Sequence, residues 1–286
     1  MTDRVEIVEV GPRDGLQNEA RLIPTAEKIA LVDLLSTAGF KRIEVASFVS
    51  PKWVPQMADG ADVLAGITRA EGVTYTALTP NMRGLEGARA AGVEEIAVFA
   101  SASEGFSKAN LNATIAESLS RFEEVVRAAT REGRRVRGYV SCVTDCPFDG
   151  PVAPEAVARV SQALLDMGCA EISLGDTIGR GTPEAVDAML DAVLGVADAP
   201  LLAGHFHDTS GRALENVDVA LARGLRIFDS AVGGLGGCPY APGAAGNLAT
   251  EALLAHLEAG GFETGLDGNV IAKAADMARE MRSGTS

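Results

Sequence analysis

Short apolar runs alternate along the whole chain with longer stretches in which apolar residues recur at helical spacing. The short runs read as strands at residues 5–10, 42–46, 75–79, 95–100, 136–141, 171–175, 202–207 and 227–232. The stretches between them read as helices with recognisable ends. In TAEKIALVDLLSTAG, Thr25 is the expected N-cap and Gly39 the expected C-cap. In APEAVARVSQALLDMG, Pro154 stands near the start and Gly168 at the stop. Strands recur about every thirty residues, a spacing that fits repeated right-handed βα units. Eight such units closing on themselves make a (β/α)8 TIM barrel, whose chemistry sits at the C-terminal ends of the strands. An open doubly wound sheet is the alternative, but no GxGxxG follows the first strand. The tail 267–282 reads as one more helix, packed outside the barrel.

Composition narrows the picture. At 286 residues, 47% hydrophobic and 22% charged, the chain can bury a large core. No Ser/Pro-rich linker or charge block divides it, so residues 1–286 are expected to form a single catalytic domain. The formal net charge of -14 disfavours nucleic acid and anionic membrane surfaces as partners. Residues 1–4 run straight into VEIVEV and leave no room for a leader, and no stretch approaches the roughly 18 apolar residues of a membrane span. A cytoplasmic protein is expected. The four cysteines, Cys142, Cys146, Cys169 and Cys238, form no CxxC pair, so reduced thiols are expected.

Candidate chemistry gathers at the predicted strand ends. In LLAGHFHDTSG, His205 and His207 stand two residues apart, so on an extended chain both imidazoles face one way. Two of the chain's three histidines are thereby aimed at one point, and neutral imidazole is the commonest protein metal ligand. Asp208 and a glycine-rich loop ending in Asn247 follow with oxygen donors. The first strand ends in EVGPRDGLQNE, which sets Arg13 and Asp14 on the mouth. Glu44 lies inside an apolar run, and a carboxylate there needs a partner, for which Arg13 is the natural choice. The sixth strand ends at the mouth in Asp176. After the eighth comes GGLGGCPYAPGAAGN, in which six of fifteen residues are glycine and Cys238 reads as an exposed, reactive thiol. Other residues are expected to do less. Trp53 should pack its loop, Cys142 and Cys146 are structural, and His256 is an ordinary helix residue. Lys52, Arg83, Lys108 and Arg137 are expected to be solvated surface charges.

The segments VGPRDGLQNE, SFVSPKWVPQM, YVSC, CAEISLGDTIG, HFHDTSG and GGLGGCPYAPGAAGNLATE, taken in order, closely resemble the 3-hydroxy-3-methylglutaryl-CoA lyases. That family lies among the metal-dependent TIM-barrel lyases and Claisen synthases. The resemblance implies cleavage of the acyl-CoA to acetyl-CoA and acetoacetate with Mg²⁺ or Mn²⁺. It implies metal ligation by Asp14, His205, His207 and Asn247, with Arg13, Glu44, Asp176, Cys238 and Glu251 as further site residues. His205 is also a candidate, with Asp14, to take or relay the substrate's hydroxyl proton. A small-molecule acyl-CoA is the expected partner, and a homodimer or other homo-oligomer the expected assembly. The chain departs from the family pattern at Phe206 and Ser210, beside the expected metal site, and at Ala20, where a lysine is frequent. Two other enzymes share this pattern, a lyase for a longer 3-alkyl analogue and a Claisen-condensing synthase. Such synthases usually append a further C-terminal region, which favours the lyase. A non-catalytic barrel would have no need of a reactive thiol on a glycine-rich loop.

Overall fold

The structure is a computed structural model that describes residues 3–236 and 246–284. Eight parallel strands close into a barrel: β1 (Glu6–Glu9), β2 (Arg42–Ser47), β3 (Thr74–Leu78), β4 (Glu95–Ser101), β5 (Arg135–Ser141), β6 (Glu171–Asp176), β7 (Leu202–Phe206) and β8 (Ile227–Ser230). Each pairs with its neighbours in chain order, and β1 closes on β8 through the register Glu6 to Ile227. Helices α1 (Thr25–Ser36), α2 (Gly60–Gly66), α3 (Met82–Ala90), α4 (Glu104–Leu111), α5 (Ile115–Arg131), α6 (Pro154–Met167), α7 (Pro183–Leu194), α8 (Ala213–Ala222), α9 (Thr250–Ala259) and α10 (Gly268–Ser283) surround it. The expected (β/α)8 barrel is the observed fold. No helix among the described residues is long and apolar enough to cross a membrane.

Local chemistry explains most of the element ends. Pro154 opens α6, and Gly168 closes it at φ 113°, where a side chain would be strained. Thr25 is not a cap; it is the first residue of α1, and its hydroxyl donates to Asp59 at 2.7 Å. β8 stops two residues short of its expected end because Gly233 and Gly234 turn the chain at positive φ. A short antiparallel pair, Asp145–Cys146 with Gly150–Pro151, forms a lip after β5 that the sequence pattern did not announce.

Apolar packing lies mainly between strands and helices. The barrel's interior is instead charged. Arg42 donates to Glu6 at 2.7 Å and to Glu171 at 2.9 Å, and Arg137 donates to Glu171 at 2.7 Å and Asp229 at 2.7 Å. Arg137 is only 3% exposed, so the expectation of a surface charge is overturned. Inward-pointing strand residues have no solvent to reach, and a guanidinium there needs carboxylates on several sides. Alternating arginines and carboxylates climb from the closed end of the barrel to its mouth.

At the mouth, a second set of carboxylates fastens the connecting segments. Glu9 accepts backbone N–H groups from Gly11 (2.8 Å) and Val232 (3.0 Å), and the Thr250 hydroxyl lies 2.7 Å from its other oxygen. Glu9 thus joins the turn after β1, the turn after β8 and the start of α9. Burial drives its pKa up from 4.5 to about 7, against the hydrogen bonds that lower it. A raised folded-state value means that the protonated carboxyl favours the fold. That contribution is fully present below pH 4.5 and is lost as pH rises through about 7. Glu9→Gln, neutral at every pH, should therefore gain stability relative to the parent between about pH 5 and about pH 8, by at most about 3 kcal/mol. Denaturant unfolding of both proteins at the two pH values measures this, and a pH-independent difference would contradict it.

Candidate active site

The segment Gly11–Gly15 winds as a single π-helical turn directly after β1, with the amides of Asp14 and Gly15 both reaching back to the Val10 carbonyl. Such turns recur at functional sites because they redirect side chains. Here the turn points Arg13 and Asp14 over the barrel axis. Arg13 donates to Asp14 at 2.6 Å and to Glu44 at 2.7 Å, which is the partnership expected for Glu44. Tyr139 donates to the same Glu44 oxygen at 2.8 Å, and its ring lies between the guanidinium groups of Arg13 (5.5 Å) and Arg137 (5.1 Å).

Across the mouth, His205 points inward from β7, and His207 follows one residue past the strand end. Asn247 reaches them because residues 246–248 run antiparallel beside that end. The amide of Asp208 donates to Gly246 (2.7 Å), that of Leu248 donates to Phe206 (3.1 Å), and His207 bridges to Asn247. The two imidazoles lie 5.4 Å apart between centroids. The Asn247 amide donates to Asp14 at 2.9 Å. Ligand atoms of Asp14, His205 and His207 all fall within 4.8 Å of one another.

The electrostatics of this cluster suit a cation. Burial raises the Asp14 pKa, but Arg13 and the two imidazoles outweigh it and hold the carboxyl down at about 2. Burial, reinforced by His205, lowers His207 to about 4, so its ring is neutral at physiological pH. The Nδ1 of His207 is buried and has no hydrogen-bond partner. A buried acceptor without a donor costs about 1–3 kcal/mol, and a divalent ion is a group that could satisfy it. For His205, burial lowers the pKa, and Asp229, 3.1 Å from Nδ1, more than reverses it. Burial also disfavours charge on Arg13, yet Glu44 and Asp14 keep its pKa above the ordinary value. Arg13 Nε and Glu44 Oε1 are buried without partners, so the pair retains hydrogen-bonding capacity toward a ligand.

The remaining expected residues divide. Asp176 lies at the end of β6, but its carboxylate is taken by the loop beside it: Gly181 N (2.8 Å), Arg180 N (3.3 Å) and the Thr144 hydroxyl (3.1 Å). Burial raises its pKa. Glu251 accepts Gly233 N at 3.0 Å and Arg279 at 2.9 Å, and so anchors the start of the glycine-rich loop. Asp208 is no ligand; its carboxylate accepts the Ala213 amide at the start of α8. Phe206 turns away from the metal candidates into the strand–helix core, as alternation along β7 requires. Trp53 does not pack its loop and is 82% exposed. Cys238 lies outside the described residues. Among the described cysteines, Cys142 and Cys146 are buried as expected, and burial pushes the Cys169 thiol up to about 12. Sequence reasoning missed Glu9, Tyr139 and Asp229. The argument that found Glu44, a carboxylate in an apolar strand, applies equally to Asp229 in RIFDSAV.

Residues 4–278 match the HMGL-like family model. The chain is 55% identical to the 3-hydroxy-3-isohexenylglutaryl-CoA/hydroxy-methylglutaryl-CoA lyase of Pseudomonas aeruginosa, over 95% of its own length and 90% of that protein. Its structure superposes with TM-score 0.98 on HMG-CoA lyase from Brucella melitensis, at 60% identity over 98% of this chain and 99% of that one. It superposes with TM-score 0.93 on an HMG-CoA lyase from Acinetobacter baumannii in complex with coenzyme A and 3-methylmalate, at 39% identity over 98% and 92% of the two chains. All three are named as lyases, none as a condensing synthase. Barrel, candidate metal-ligand cluster and these likenesses agree, and the chain belongs to the HMGL-like family.

Proposed function

We propose that this chain is a lyase that cleaves 3-hydroxy-3-methylglutaryl-CoA to acetyl-CoA and acetoacetate, working as one catalytic domain over residues 1–286. The observation that carries this reading is the convergence of Asp14, His205 and His207 beside the buried Arg13–Glu44 pair. The reaction removes the tertiary hydroxyl proton, turns the C–O bond into a carbonyl, and breaks the adjacent carbon–carbon bond. The electron pair leaves as the enolate of acetyl-CoA, which is then protonated on carbon.

Asp14, His205, His207 and the side-chain oxygen of Asn247 would hold a divalent cation. Two imidazoles with two oxygens suit Mg²⁺ or Mn²⁺ better than a closed zinc site. When bound, the cation lowers the pKa of the substrate hydroxyl and fixes its orientation. Asp14 and His205 are the two candidates to take or relay that proton; a His205 that gives Nε2 to the cation and its Nδ1 hydrogen to Asp229 has no nitrogen left for it, which favours Asp14. Arg13 donates to the thioester oxygen as negative charge grows there, an oxyanion role worth about 3–4 kcal/mol. Glu44, gripped by Arg13 and Tyr139, keeps the guanidinium aimed. Asp176 holds its rim loop in place, and Glu251 anchors the turn that leads to Cys238. Cys238 protonates the enolate carbon.

Acetoacetate release from 3-hydroxy-3-methylglutaryl-CoA, abolished by a chelator and restored by Mn²⁺, is the expected result; chelator-insensitive release would remove the metal from the mechanism. His207→Ala should lower Mn²⁺ affinity more than about 100-fold with the fold intact, since no neighbour replaces the ligand. Calorimetric titration reads this directly, and unchanged affinity would remove His207 from the metal centre. Arg13→Lys should lower kcat about 10²–10³-fold with little change in KM, because an ammonium cannot reproduce the fork that spans the developing oxyanion and Glu44. A pure KM effect would reassign Arg13 to ground-state binding. Cys238→Ser should lose about 10²-fold or more of turnover while still binding metal, since a hydroxyl is a far weaker acid than a thiol. Alkylation of the parent should inactivate it with the label on Cys238. A label on Cys142, Cys146 or Cys169 would withdraw the role.

A further inference from the structure

Asp229 lies on β8, one strand over from His205, buried and bonded on both oxygens. Its Oδ1 accepts from Arg137 Nη2 at 2.7 Å. Its Oδ2 accepts from the Ser173 hydroxyl at 2.8 Å and stands 3.1 Å from His205 Nδ1. A guanidinium donor at 2.7 Å on one oxygen and a hydroxyl donor at 2.8 Å on the other make Asp229 an acceptor in its contacts, so the ring nitrogen facing it is the donor and carries the hydrogen. A neutral His205 therefore has its proton on Nδ1 and a bare Nε2. That Nε2 lies 4.0 Å from Asp14 Oδ2, so two acceptors face each other across a gap with no proton to join them.

We propose that Asp229 is a positioning residue that sets His205 in the metal-ready tautomer, and that Arg137 holds Asp229 in the orientation this requires. The assignment rests on the metal centre proposed above and adds what prepares it. The ring is also held laterally, since Tyr139 meets it edge-on at 6.0 Å. Proton and ring orientation are both decided before an ion arrives, so binding need not spend free energy on either.

The Arg137 contact makes Asp229→Asn a sharp test. Arg137 donates to Oδ1, so the amide oxygen must take that place, and the amide NH2 falls where Oδ2 stood. It then donates to His205 Nδ1, and the ring's own proton moves to Nε2, the atom that should meet the ion. Size and shape are unchanged. The experiment is a long-range ¹H–¹⁵N spectrum of the full chain labelled with ¹⁵N-histidine, metal-free and at a pH where the ring is neutral, followed by Mn²⁺ titration. The chain has three histidines, so single substitutions assign all the rings. The parent should show His205 protonated on Nδ1, and Asp229→Asn should show it protonated on Nε2, with Mn²⁺ affinity about 10–100-fold lower. A parent with Nε2 protonated overturns the proposal and needs no variant to fold. So does an Asp229→Asn protein that keeps the parental tautomer or the parental Mn²⁺ affinity. If the parent shows the Nδ1 proton but binds no Mn²⁺, the metal centre itself fails, and Asp229 loses its role with it. If the parent binds Mn²⁺ with the opposite tautomer, Asp229 alone is wrong.

Discussion

The buried guanidinium of Arg137 is the interaction on which the site depends. It joins Glu171 toward the closed end, Asp229 beside the metal candidates, and the Tyr139 hydroxyl at 3.1 Å. The last two lead to different parts of the mouth. Tyr139 passes the order to Glu44 and so to Arg13, while Asp229 passes it to His205. A barrel filled with branched apolar layers could support the same strands but could not orient these polar groups. Buried ion networks add little net stability compared with apolar packing of the same volume. What they add here is direction: each charged side chain has one place where its partners are.

This arrangement separates the titration behaviour of neighbouring groups. Asp14 is partly buried and Asp229 fully so, and burial alone would raise both pKa values; adjacent arginines lower them instead. Glu9, a strut without a guanidinium beside it, is raised to about 7 by the same burial. The mouth therefore sets carboxylates held low by arginines beside the two imidazoles, and a carboxyl raised toward neutrality where backbone is held.

Much of this could be read from the chain because strand alternation turns spacing into direction. His205 and His207 stand two apart and do face one point; Arg13 and Glu44 do pair. The same rule, had it been applied to RVRGYVS, would have put Arg135, Arg137 and Tyr139 on one face of β5 and exposed the error of treating Arg137 as a surface charge. It would also have turned Phe206 away from the site, since it stands between two inward histidines. Asp208 is a reasonable ligand by proximity to His207, but its carboxylate accepts the Ala213 amide five residues on, a contact that strand spacing does not report. The bridge between His207 and Asn247 joins residues forty positions apart in sequence, and no local pattern reports it. Trp53 stands 82% exposed, because side-chain size alone does not decide burial and nothing in the local spacing reports whether a loop residue is covered.

The glycine-rich loop shows how backbone conformation and charge act together. Gly233, Gly234 and Gly236 all take positive φ, which L-residues with side chains adopt only under strain. Three carboxylates from β1, α9 and the segment after the π-turn receive amides of this stretch: Glu9 takes Val232, Glu251 takes Gly233, and Glu19 takes Gly236 at 3.1 Å. Two arginines of α10 complete the frame, Arg279 on Glu251 and Arg282 on Glu19 and the Gly234 carbonyl. The helix that the sequence pattern placed outside the barrel thus fixes the point from which the chain departs toward Cys238. Three carboxylates, Glu9, Glu19 and Glu251, hold residues 232–236 by their amides, and α10 braces two of the three, which is the physical means by which an external helix bears on the rim of the barrel.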